Sequence, residues 1–446
     1  MLEGYGEYKD INTSWLHSIP KNWVSVKIGE LFEERKVKVS DKKYAPLTVG
    51  KMGVVPQLST VAKSNDSDNR KLVKSGDYVI NSRSDRKGSS GLSSLDGSVS
   101  LINIVLTPRE GNGKYYHYLL RSYYWIEEYY RNGRGIVADL WTTRFSEMKS
   151  IVLPIPPRPE QDQIVRYLDW KVSMFNKYIN AKKNQIELLK ERKQTIINQA
   201  VTKGLNMNVP IKDSGIEWLG KIPAHWNILY LSQVAEEQYI SNKEVHNQNL
   251  LSLSYGNIVN KDINTTEGLL PASFDTYQIV NPGNVILRLT DLQNDWKSLR
   301  VGLATQTGII TSAYVCLFCK DTILPEYLYL LLHSFDIRKV FYGMGGGVRQ
   351  SIGYKEIRKL LLLIPPQTEQ QKIANYCKDI VVEIGNNINH IEKTINLLQK
   401  YRTRLISDVV TGKVNVQNVK VPEFEAENDE LSDNEQETDA DIIPNQ

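Results

Sequence analysis

The chain has 446 residues, 41% apolar and 24% charged, a balance typical of a folded protein with about three domains. Residues 423–446 contain ten acidic and no basic side chains, which leaves 55 basic against 41 acidic residues in 1–422, a net charge of about +14. Such a basic body makes nucleic acid the first candidate partner, although a lysine-rich surface without that partner explains the charge equally well. Three cysteines exclude a disulfide framework. With no signal peptide and no run of ~20 apolar residues, we expect a soluble, cytoplasmic protein.

Residues 1–155 combine short apolar runs with Gly, Asn, Asp and Ser, and this pattern predicts an α+β module. Runs at 77–81 and 101–106 predict strands, and the aromatic-rich segment 115–130 predicts a helix. The first strand leads into a loop, residues 81–91, that places three cations among small hydroxyl side chains. Arginine suits bidentate contact with guanine and serine suits phosphate, although a solvated hairpin loop explains this composition equally well. The candidates for DNA contact are Asn81, Arg83, Ser84, Arg86 and Lys87.

A second candidate segment, residues 132–144, follows the predicted helix. Its glycines allow the backbone to approach phosphate closely, and Trp141-Thr-Thr-Arg144 comes after them. The matching segment in the second half of the chain, residues 343–351, holds four glycines and then Arg-Gln-Ser. A glycine run alone is more often only a turn, so the attached polar residues carry the prediction. The candidates are Arg134, Thr143 and Arg144 in the first segment and Arg349, Gln350, Ser351 and Lys355 in and after the second.

Residues 160–203 contain no Gly or Pro and predict one helix of 44 residues, about 66 Å long at 1.5 Å per residue. Residues 369–411, interrupted only by Gly385, predict a second long helix. In both segments apolar residues alternate spacings of three and four, which is typical of a coiled coil, so we expect the two helices to pack antiparallel. An ordinary dimerisation helix would show the same spacing. The predicted seam consists of Leu168, Val172, Phe175, Ile179, Ile186 and Leu189 in the first helix and Val381, Ile384, Ile388, Ile391, Ile395 and Leu398 in the second.

Residues 208–364 repeat the pattern of the first module, with strands predicted at 284–289 and 313–318 and a helix at 326–341. The loop 288–300 follows a strand, as the loop 81–91 does, but the two loop sequences differ almost completely. This difference predicts that the two modules bind different nucleic-acid targets. Cys316 and Cys319 point to opposite faces of a strand, so we interpret them as core residues and not as metal ligands. The candidates for DNA contact in this loop are Arg288, Thr290, Gln293, Lys297 and Arg300.

The two modules and the two helices form a tandem duplication. The residues Trp15, Ile19, Pro20 and Trp23 recur 203 positions later, and a Pro-Pro-x-x-Glu-Gln motif at 156–161 recurs 209 positions later. The predicted architecture is α+β, with two duplicated recognition modules separated by two long helices that form an antiparallel coiled coil. The predicted domains are 1–155 and 208–364 for the modules, 156–207 and 365–415 for the helices, and 416–446 for an acidic, disordered tail.

The sequence lacks the motifs of common enzymes that act on nucleic acids. It has no nucleotide-binding phosphate loop, no dinucleotide fingerprint, no amino-methyltransferase tetrapeptide and no nuclease carboxylate pattern. Its six histidines have no metal-ligand spacing. The sequence therefore predicts a binding protein without catalytic or metal-ligating residues.

An ordered combination of features resembles the specificity subunits of type I restriction-modification systems. It consists of the opening Glu217-Trp-Leu-Gly-Lys-Ile-Pro-Ala-His-Trp226, the Pro-Pro-x-x-Glu-Gln motif before each long helix, and the duplication, and it covers about residues 8–415. The resemblance implies two target-recognition domains that each read one half of a split double-stranded DNA target, and helices that set the gap between the halves. It also implies docking of two adenine-N6 methyltransferase subunits and of restriction subunits. Those partners would bind S-adenosylmethionine, ATP and Mg, and no cofactor is expected on this chain.

Two alternatives stay open. A modification-only methyltransferase would use a similar subunit without a restriction partner, and a coiled-coil adaptor would leave the basic charge incidental. Salt-sensitive DNA binding would argue against the adaptor. If the helices act as a ruler, lengthening the helix at 160–203 by one turn changes the gap in the target, and an unaltered gap would count against that role.

Overall fold

The computed structural model describes residues 3–57, 68–135, 141–216, 219–245, 247–263, 273–344 and 351–424. The chain divides into two compact units. Unit 1 comprises residues 1–182 and 392–446, and unit 2 comprises residues 183–391. No helix within the described ranges is long and apolar enough to cross a membrane.

Unit 1 is built on short antiparallel strands with four short helices among its described residues. The strands are β1 (Tyr8–Asp10), β2 (Ser18–Pro20), β3 (Val24–Lys27), β4 (Phe32–Glu34), β5 (Lys38–Val39), β6 (Leu47–Gly50), β7 (Gly53–Pro56), β8 (Arg70–Val73), β9 (Tyr78–Asn81), β10 (Ser90–Leu92), β11 (Gly97–Val99), β12 (Asn103–Pro108) and β13 (Val152–Ile155). The short helices are α1 (Ile28–Leu31), α2 (Gly113–Leu119), α3 (Tyr123–Arg131) and α4 (Phe145–Met148). The main sheet has the order β10-β9-β12-β4, and a second sheet has the order β11-β8-β5. The first long helix, α5 (Arg158–Lys203), follows β13.

Unit 2 repeats this topology. Its strands are β14 (Ile211–Asp213), β15 (Lys221–Pro223), β16 (Asn227–Tyr230), β17 (Ala235–Glu237), β18 (Leu251–Ser254), β19 (Asn257–Asn260), β20 (Gln278–Val280), β21 (Val285–Leu287), β22 (Val301–Leu303), β23 (Gly308–Ile310), β24 (Val315–Cys319) and β25 (Leu361–Ile364). The helices are α6 (Leu231–Val234), α7 (Pro325–Ile337), α8 (Tyr354–Ile357) and the long α9 (Gln367–Val410). The main sheet, β22-β21-β24-β17, matches that of unit 1 strand for strand, which confirms the duplication.

Both long helices contribute to the core of each unit. In unit 1, the buried Trp23 and Tyr115 pack in one cluster with Val409 near the end of α9. Gln163, early in α5, donates to the carbonyl oxygen of Val416 just after α9, and further along α5 the amide oxygen of Asn176 accepts from Arg402 at 2.5 Å, so α5 and α9 run antiparallel in this unit. In unit 2, the core cluster joins the end of α5 to the start of α9, and its members include Ile197, Ala200, Val201, Trp226, Tyr327, Ile373, Ala374 and Cys377. The predicted α+β fold with antiparallel long helices is confirmed.

The seam predicted from the 3-4 spacing is largely shielded from solvent. The buried members are Leu168, Ile179, Ile186, Ile384, Ile391 and Ile395, and the half-buried members are Val172, Phe175, Leu189, Ile388 and Leu398. Val381 differs, because 41% of it is exposed and the helix buries Cys377 and Ile384 on either side of it.

Three predicted boundaries differ from the structure. The helix expected at 115–130 is two helices, because Ser122 has an extended backbone and starts α3. The helix expected at 326–341 ends at Ile337, because Lys339 adopts a left-handed conformation (φ 61°) before a 3₁₀ turn. The tail expected from residue 416 packs on unit 1 through its first residues, since Val416 is buried and its carbonyl oxygen accepts a hydrogen bond from Gln163 at 3.0 Å. The rest of that predicted tail, 425–446, lies outside the described residues.

Candidate nucleic-acid interface

The Glu of each Pro-Pro-x-x-Glu-Gln motif fastens a long helix to the start of its module. Glu160 accepts hydrogen bonds from the indole of Trp23 at 2.8 Å and the amide of Asn22 at 2.9 Å. In unit 2, Glu369 accepts from the indole of Trp226 at 3.2 Å and contacts the His225 ring at 2.8 Å. The hydrogen bond between this Glu and the Trp therefore connects the long helix to the module in the same way in each unit.

The Gln of each motif holds the loop that leads into a helix of its module, α2 in unit 1 and α7 in unit 2. The Gln161 side chain donates to the carbonyl oxygen of Pro156 and accepts from the backbone of Asn112, each at 2.9 Å. The Gln370 side chain donates to the carbonyl oxygen of Pro365 at 3.0 Å and accepts from the backbone of Leu324 at 2.8 Å. The motif that carries the sequence resemblance thus positions the modules and does not itself form a binding surface.

Two of the predicted DNA-contacting segments lie side by side in unit 1. Thr142 exchanges backbone hydrogen bonds with Arg134 at 3.0 and 3.1 Å and forms an isolated β-bridge with Arg83. The hydroxyl of Tyr130 donates to the carbonyl oxygens of Arg83 and Arg86 at 3.2 Å each. The loop after β9 and the segment before α4 are therefore held together as one surface.

This surface borders a cleft of about 630 Å³ whose charged lining is almost entirely positive. The charged residues that line it are Lys36, Lys71, Arg83, Arg144 and Lys149, with the single carboxylate Glu34. Four of the cations are exposed, whereas Lys71 is half-buried and donates to the carbonyl oxygen of Asn103 at 2.7 Å. The cleft suits a polyanion because four exposed cations face one carboxylate that two lysines already contact, Lys36 at 3.3 Å and Lys71 at 3.6 Å.

Sequence reasoning found Arg83 and Arg144 but missed the three lysines of this cleft. Lys36 follows β4, Lys71 lies in β8 and Lys149 follows α4, so they are far apart in the chain. No local pattern in the sequence distinguishes them from other exposed lysines. A smaller hollow of about 310 Å³ lies beside Lys87, which is paired with Glu127 at 2.6 Å, and is bordered by the exposed Trp141.

Three of the predicted DNA-contacting residues are buried, and this placement does not suit them to DNA contact. Asn81 is 8% exposed and accepts a hydrogen bond from the backbone of Arg83. Thr143 is 1% exposed and donates to the carbonyl oxygen of Tyr129 at 3.1 Å. Both side chains stabilise the conformation of the loop region. The third buried residue is Arg300 of unit 2. Ser84, another predicted contact, has a side chain outside the described residues.

Arg300 organises the corresponding loop of unit 2 from the inside. Its side chain is fully buried. Its guanidinium donates at 2.6–3.2 Å to the carbonyl oxygens of Arg288, Thr290, Asp291 and Asp295 and to the hydroxyl of Tyr342. The loop 288–300 therefore wraps around one cation, which the sequence alone could not distinguish from an exposed one.

The outer face of this loop remains available to a ligand. Gln293 and Lys297 are exposed, and the exposed ring of Trp296 packs on Tyr342 with a centroid distance of 4.7 Å. Arg288 contacts Asp295 at 3.5 Å, and hydrogen bonds from Ser298 lower the pKa of Asp295 to about 2.

The second predicted segment of unit 2 is described only in part. Ser351 is exposed, and its hydroxyl accepts a hydrogen bond from the backbone of Asp291 at 3.4 Å, so the segment adjoins the loop 288–300. Lys355 is exposed on α8. Thr290 is half-buried within the loop, and Arg349 and Gln350 lie outside the described residues.

Within the described ranges, no cluster of three or more His, Cys, Asp or Glu could hold a metal ion. Cys316 is buried in β24, and burial raises the pKa of its thiol to about 12, as it does for Cys319. Both thiols are therefore protonated near neutral pH and suit packing better than metal coordination.

The fold and these surfaces define a duplicated binding protein in which one α+β frame carries two different polar loop regions. Residues 20–188 match the family model of the type I restriction modification DNA specificity domain. The predicted resemblance to the specificity subunits of type I restriction-modification systems is therefore confirmed.

Similar proteins agree with this assignment. The chain is 24% identical over 437 residues to the type I restriction enzyme MjaVIII specificity subunit of Methanocaldococcus jannaschii, covering 92% of this chain and 98% of the relative. It is 25% identical over 283 residues to the putative MjaX specificity subunit of the same organism, 61% of each chain. Its fold also matches a chain in a solved structure of a type I R-M system, with a TM-score of 0.64 and 14% identity over 89% of this chain and 99% of that one.

Proposed function

We propose that this subunit recognises a bipartite DNA target, with each unit reading one half-site. The observation that carries the proposal is the basic cleft of unit 1, where Lys36, Arg83, Arg144 and Lys149 face one carboxylate beside two adjoining loops. Cations of this kind neutralise phosphates and position the duplex, while polar loop residues reach base edges. The different loop of unit 2 supports a second, unrelated half-site.

The residues assigned to DNA contact are the exposed members of the predicted set. In unit 1 they are Arg83, Arg86, Lys87, Arg134 and Arg144, together with Lys36 and Lys149 of the cleft. In unit 2 they are Gln293, Lys297, Ser351 and Lys355, with Arg288 and Thr290 at the edge of the loop. Arg349 and Gln350 are included on sequence grounds alone. The buried Asn81, Thr143 and Arg300 stabilise the loops from within and do not contact DNA.

The recognition domains in this proposal span 1–155 and 208–364, and the helical segments 156–207 and 365–415 set the gap between half-sites and dock the partners. Those partners are two adenine-N6 methyltransferase subunits and the restriction subunits of a cytoplasmic complex. S-adenosylmethionine, ATP and Mg would act on the partners, since the resemblance assigns DNA specificity to this chain. Exposed apolar residues on the helices, such as Met174, Tyr178 and Leu397, support the docking role.

Neutralising the cleft tests the proposal. Changing Lys36, Arg83, Arg144 and Lys149 together to Gln is expected to weaken binding to duplex DNA and to lower the log–log salt slope by about 3–4, because each lost phosphate contact removes roughly 0.9 from the slope. The measurement is a titration of fluorescent duplex DNA with the full-length protein over a range of salt concentrations.

A matched control changes the same number of charges in unit 1 outside the cleft. Lys177, Lys393 and Lys400 lie on the long helices and Lys420 follows α9, and all four are exposed. Their joint replacement by Gln is expected to leave most of the slope intact. If both quadruple variants lose affinity equally, DNA binding is a property of general charge and not of the cleft. If neither loses affinity, the adaptor alternative takes precedence.

A further inference from the structure

A short hairpin in unit 2 carries an aromatic side chain in an unfavourable backbone conformation. Strands β18 and β19 pair with Ser254 opposite Asn257, which leaves Tyr255-Gly256 as a two-residue connection. Tyr255 has φ 46° and Gly256 has φ 78°, so both lie in the left-handed region, as the tightest hairpin turns require. Asparagine is the preferred residue at the first of these positions, and a tyrosine there raises the energy of the folded chain.

Packing within the protein does not compensate for this conformation. Tyr255 is 82% exposed, the largest value among the exposed large hydrophobic residues in the described part of the chain. Its ring takes part in no ring–ring contact and its hydroxyl in no hydrogen bond among the described residues. The side chain therefore contributes nothing visible to the fold that would explain its presence.

The hairpin tip lies against the loop that we assign to DNA contact. A Cβ on Gly256 would lie 3.3 Å from the side chain of Leu299, which belongs to the loop 288–300. The hydroxyl of Tyr329 donates to the carbonyl oxygen of Gly256 at 3.4 Å and holds the tip in place. Tyr255 thus lies on a fixed hairpin tip at the edge of the loop that contains Gln293 and Lys297.

The left-handed residues of the described chain concentrate around this loop. Apart from glycine they are Tyr255, Asp291 and Lys339. Asp291 lies in the loop itself, and the amine of Lys339 donates to the carbonyl oxygen of Trp296 at 2.5 Å. Backbone strain of this kind clusters at ligand-contacting surfaces, where it fixes side chains before the ligand arrives.

We propose that the ring of Tyr255 packs on base edges in a groove of the half-site read by unit 2, against an apolar group such as the thymine methyl. The inference rests on the proposed function and adds a base-contacting residue to it. A tyrosine ring has only two side-chain torsions to fix when it packs, and its hydroxyl stays hydrated. The equivalent tip of unit 1, Lys51-Met52 between β6 and β7, carries a cation and a flexible thioether, which agrees with two half-sites of different sequence.

Replacing Tyr255 with Asn separates folding from binding. Tyr255→Asn is expected to keep or raise the melting temperature, because Asn-Gly suits the turn, and to lower affinity about 5- to 150-fold, the range for losing the contacts to one base pair. The salt slope should stay unchanged because no phosphate contact is lost. Tyr255→Phe should retain affinity, since the ring face carries the interaction. The probe is a duplex containing the adenine-methylated motif mapped in the host, bound by the full-length protein.

The matched control is Tyr239→Asn, an exposed tyrosine of the same unit with ordinary backbone geometry, and it should bind as the unmodified protein does. A folded Tyr255→Asn variant with unchanged affinity would overturn the base-contact role. A lower salt slope for that variant would also overturn it, since the residue would then act on phosphate contacts. The quadruple cleft variant distinguishes the two proposals: if it loses affinity and Tyr255→Asn does not, only the inference on Tyr255 fails.

Discussion

Arg300→Met is expected to destabilise unit 2 by about 3–5 kcal/mol, because it removes one partner from a buried, charge-assisted hydrogen-bond network. The substitution keeps similar bulk but leaves the carbonyl oxygens of Arg288, Thr290 and Asp291 without this donor, while the Asp295 carbonyl oxygen and the Tyr342 hydroxyl each lose one of two donors. Arg300→Lys should recover only part of the loss, since an ammonium group cannot reproduce the planar arrangement of five N–H donors. The loop 288–300 would open, and DNA affinity would fall with stability.

Urea unfolding of the full-length protein measures this effect. At a slope of roughly 2–3 kcal/mol per molar urea, the midpoint of the unit 2 transition should fall by about 1–2 M. Lys297→Met is the matched control, because it removes an exposed cation from the same loop and should change stability by less than about 0.5 kcal/mol. Equal midpoints for the Arg300 and Lys297 variants would contradict the internal role of Arg300.

Lengthening both long helices by one heptad is expected to create a new DNA target. One heptad is added after Lys182 by duplicating 183–189 and another after Ile391 by duplicating 392–398, at the boundaries between the two units. Each inserted heptad repeats the apolar positions of its helix, Ile186 and Leu189 in α5 and Ile395 and Leu398 in α9. Seven residues add about 10.5 Å, and each base pair of B-DNA adds about 3.4 Å.

The methylated motif of a host carrying this variant should keep both half-sites and lengthen its gap by up to about three base pairs, while the original motif loses methylation. The control exchanges the two heptads without changing either length and should preserve the original motif. An unchanged gap in the lengthened protein would show that the length of the helices does not set the distance between the half-sites.

The parts of the fold that sequence predicted correctly depend on local periodicity. The 3-4 spacing of Ile179, Ile186 and Ile395 is a property of a helix surface, so burial of the seam follows from the sequence alone. The runs before Asn81 and Arg288 are likewise strands, because a short continuous apolar run bounded by polar residues is a local signal. The predicted ends of helices are less accurate, since the break at Ser122 depends on a turn that the apolar pattern of the sequence does not specify.

The candidate sites required tertiary structure for a different reason. Whether a loop cation faces water or the interior depends on where its hydrogen-bond partners lie, so Arg300 and Lys297 look alike in sequence although one is buried and the other exposed. Lys36 and Lys149 meet in one cleft only because β4 and α4 lie close together in the folded unit. In the sequence, only the glycine after Tyr255 marks the position as unusual. Its left-handed backbone and its exposure, which suggest a role in binding, are visible only in the structure.

A genome-wide map of N6-methyladenine in the host, with and without this gene, tests the central claim most directly. The account predicts that deletion removes methylation from one bipartite motif and that reintroducing the gene restores it. An identical map in both strains, in a host where the partner methyltransferase is expressed, would contradict the proposed role in DNA recognition.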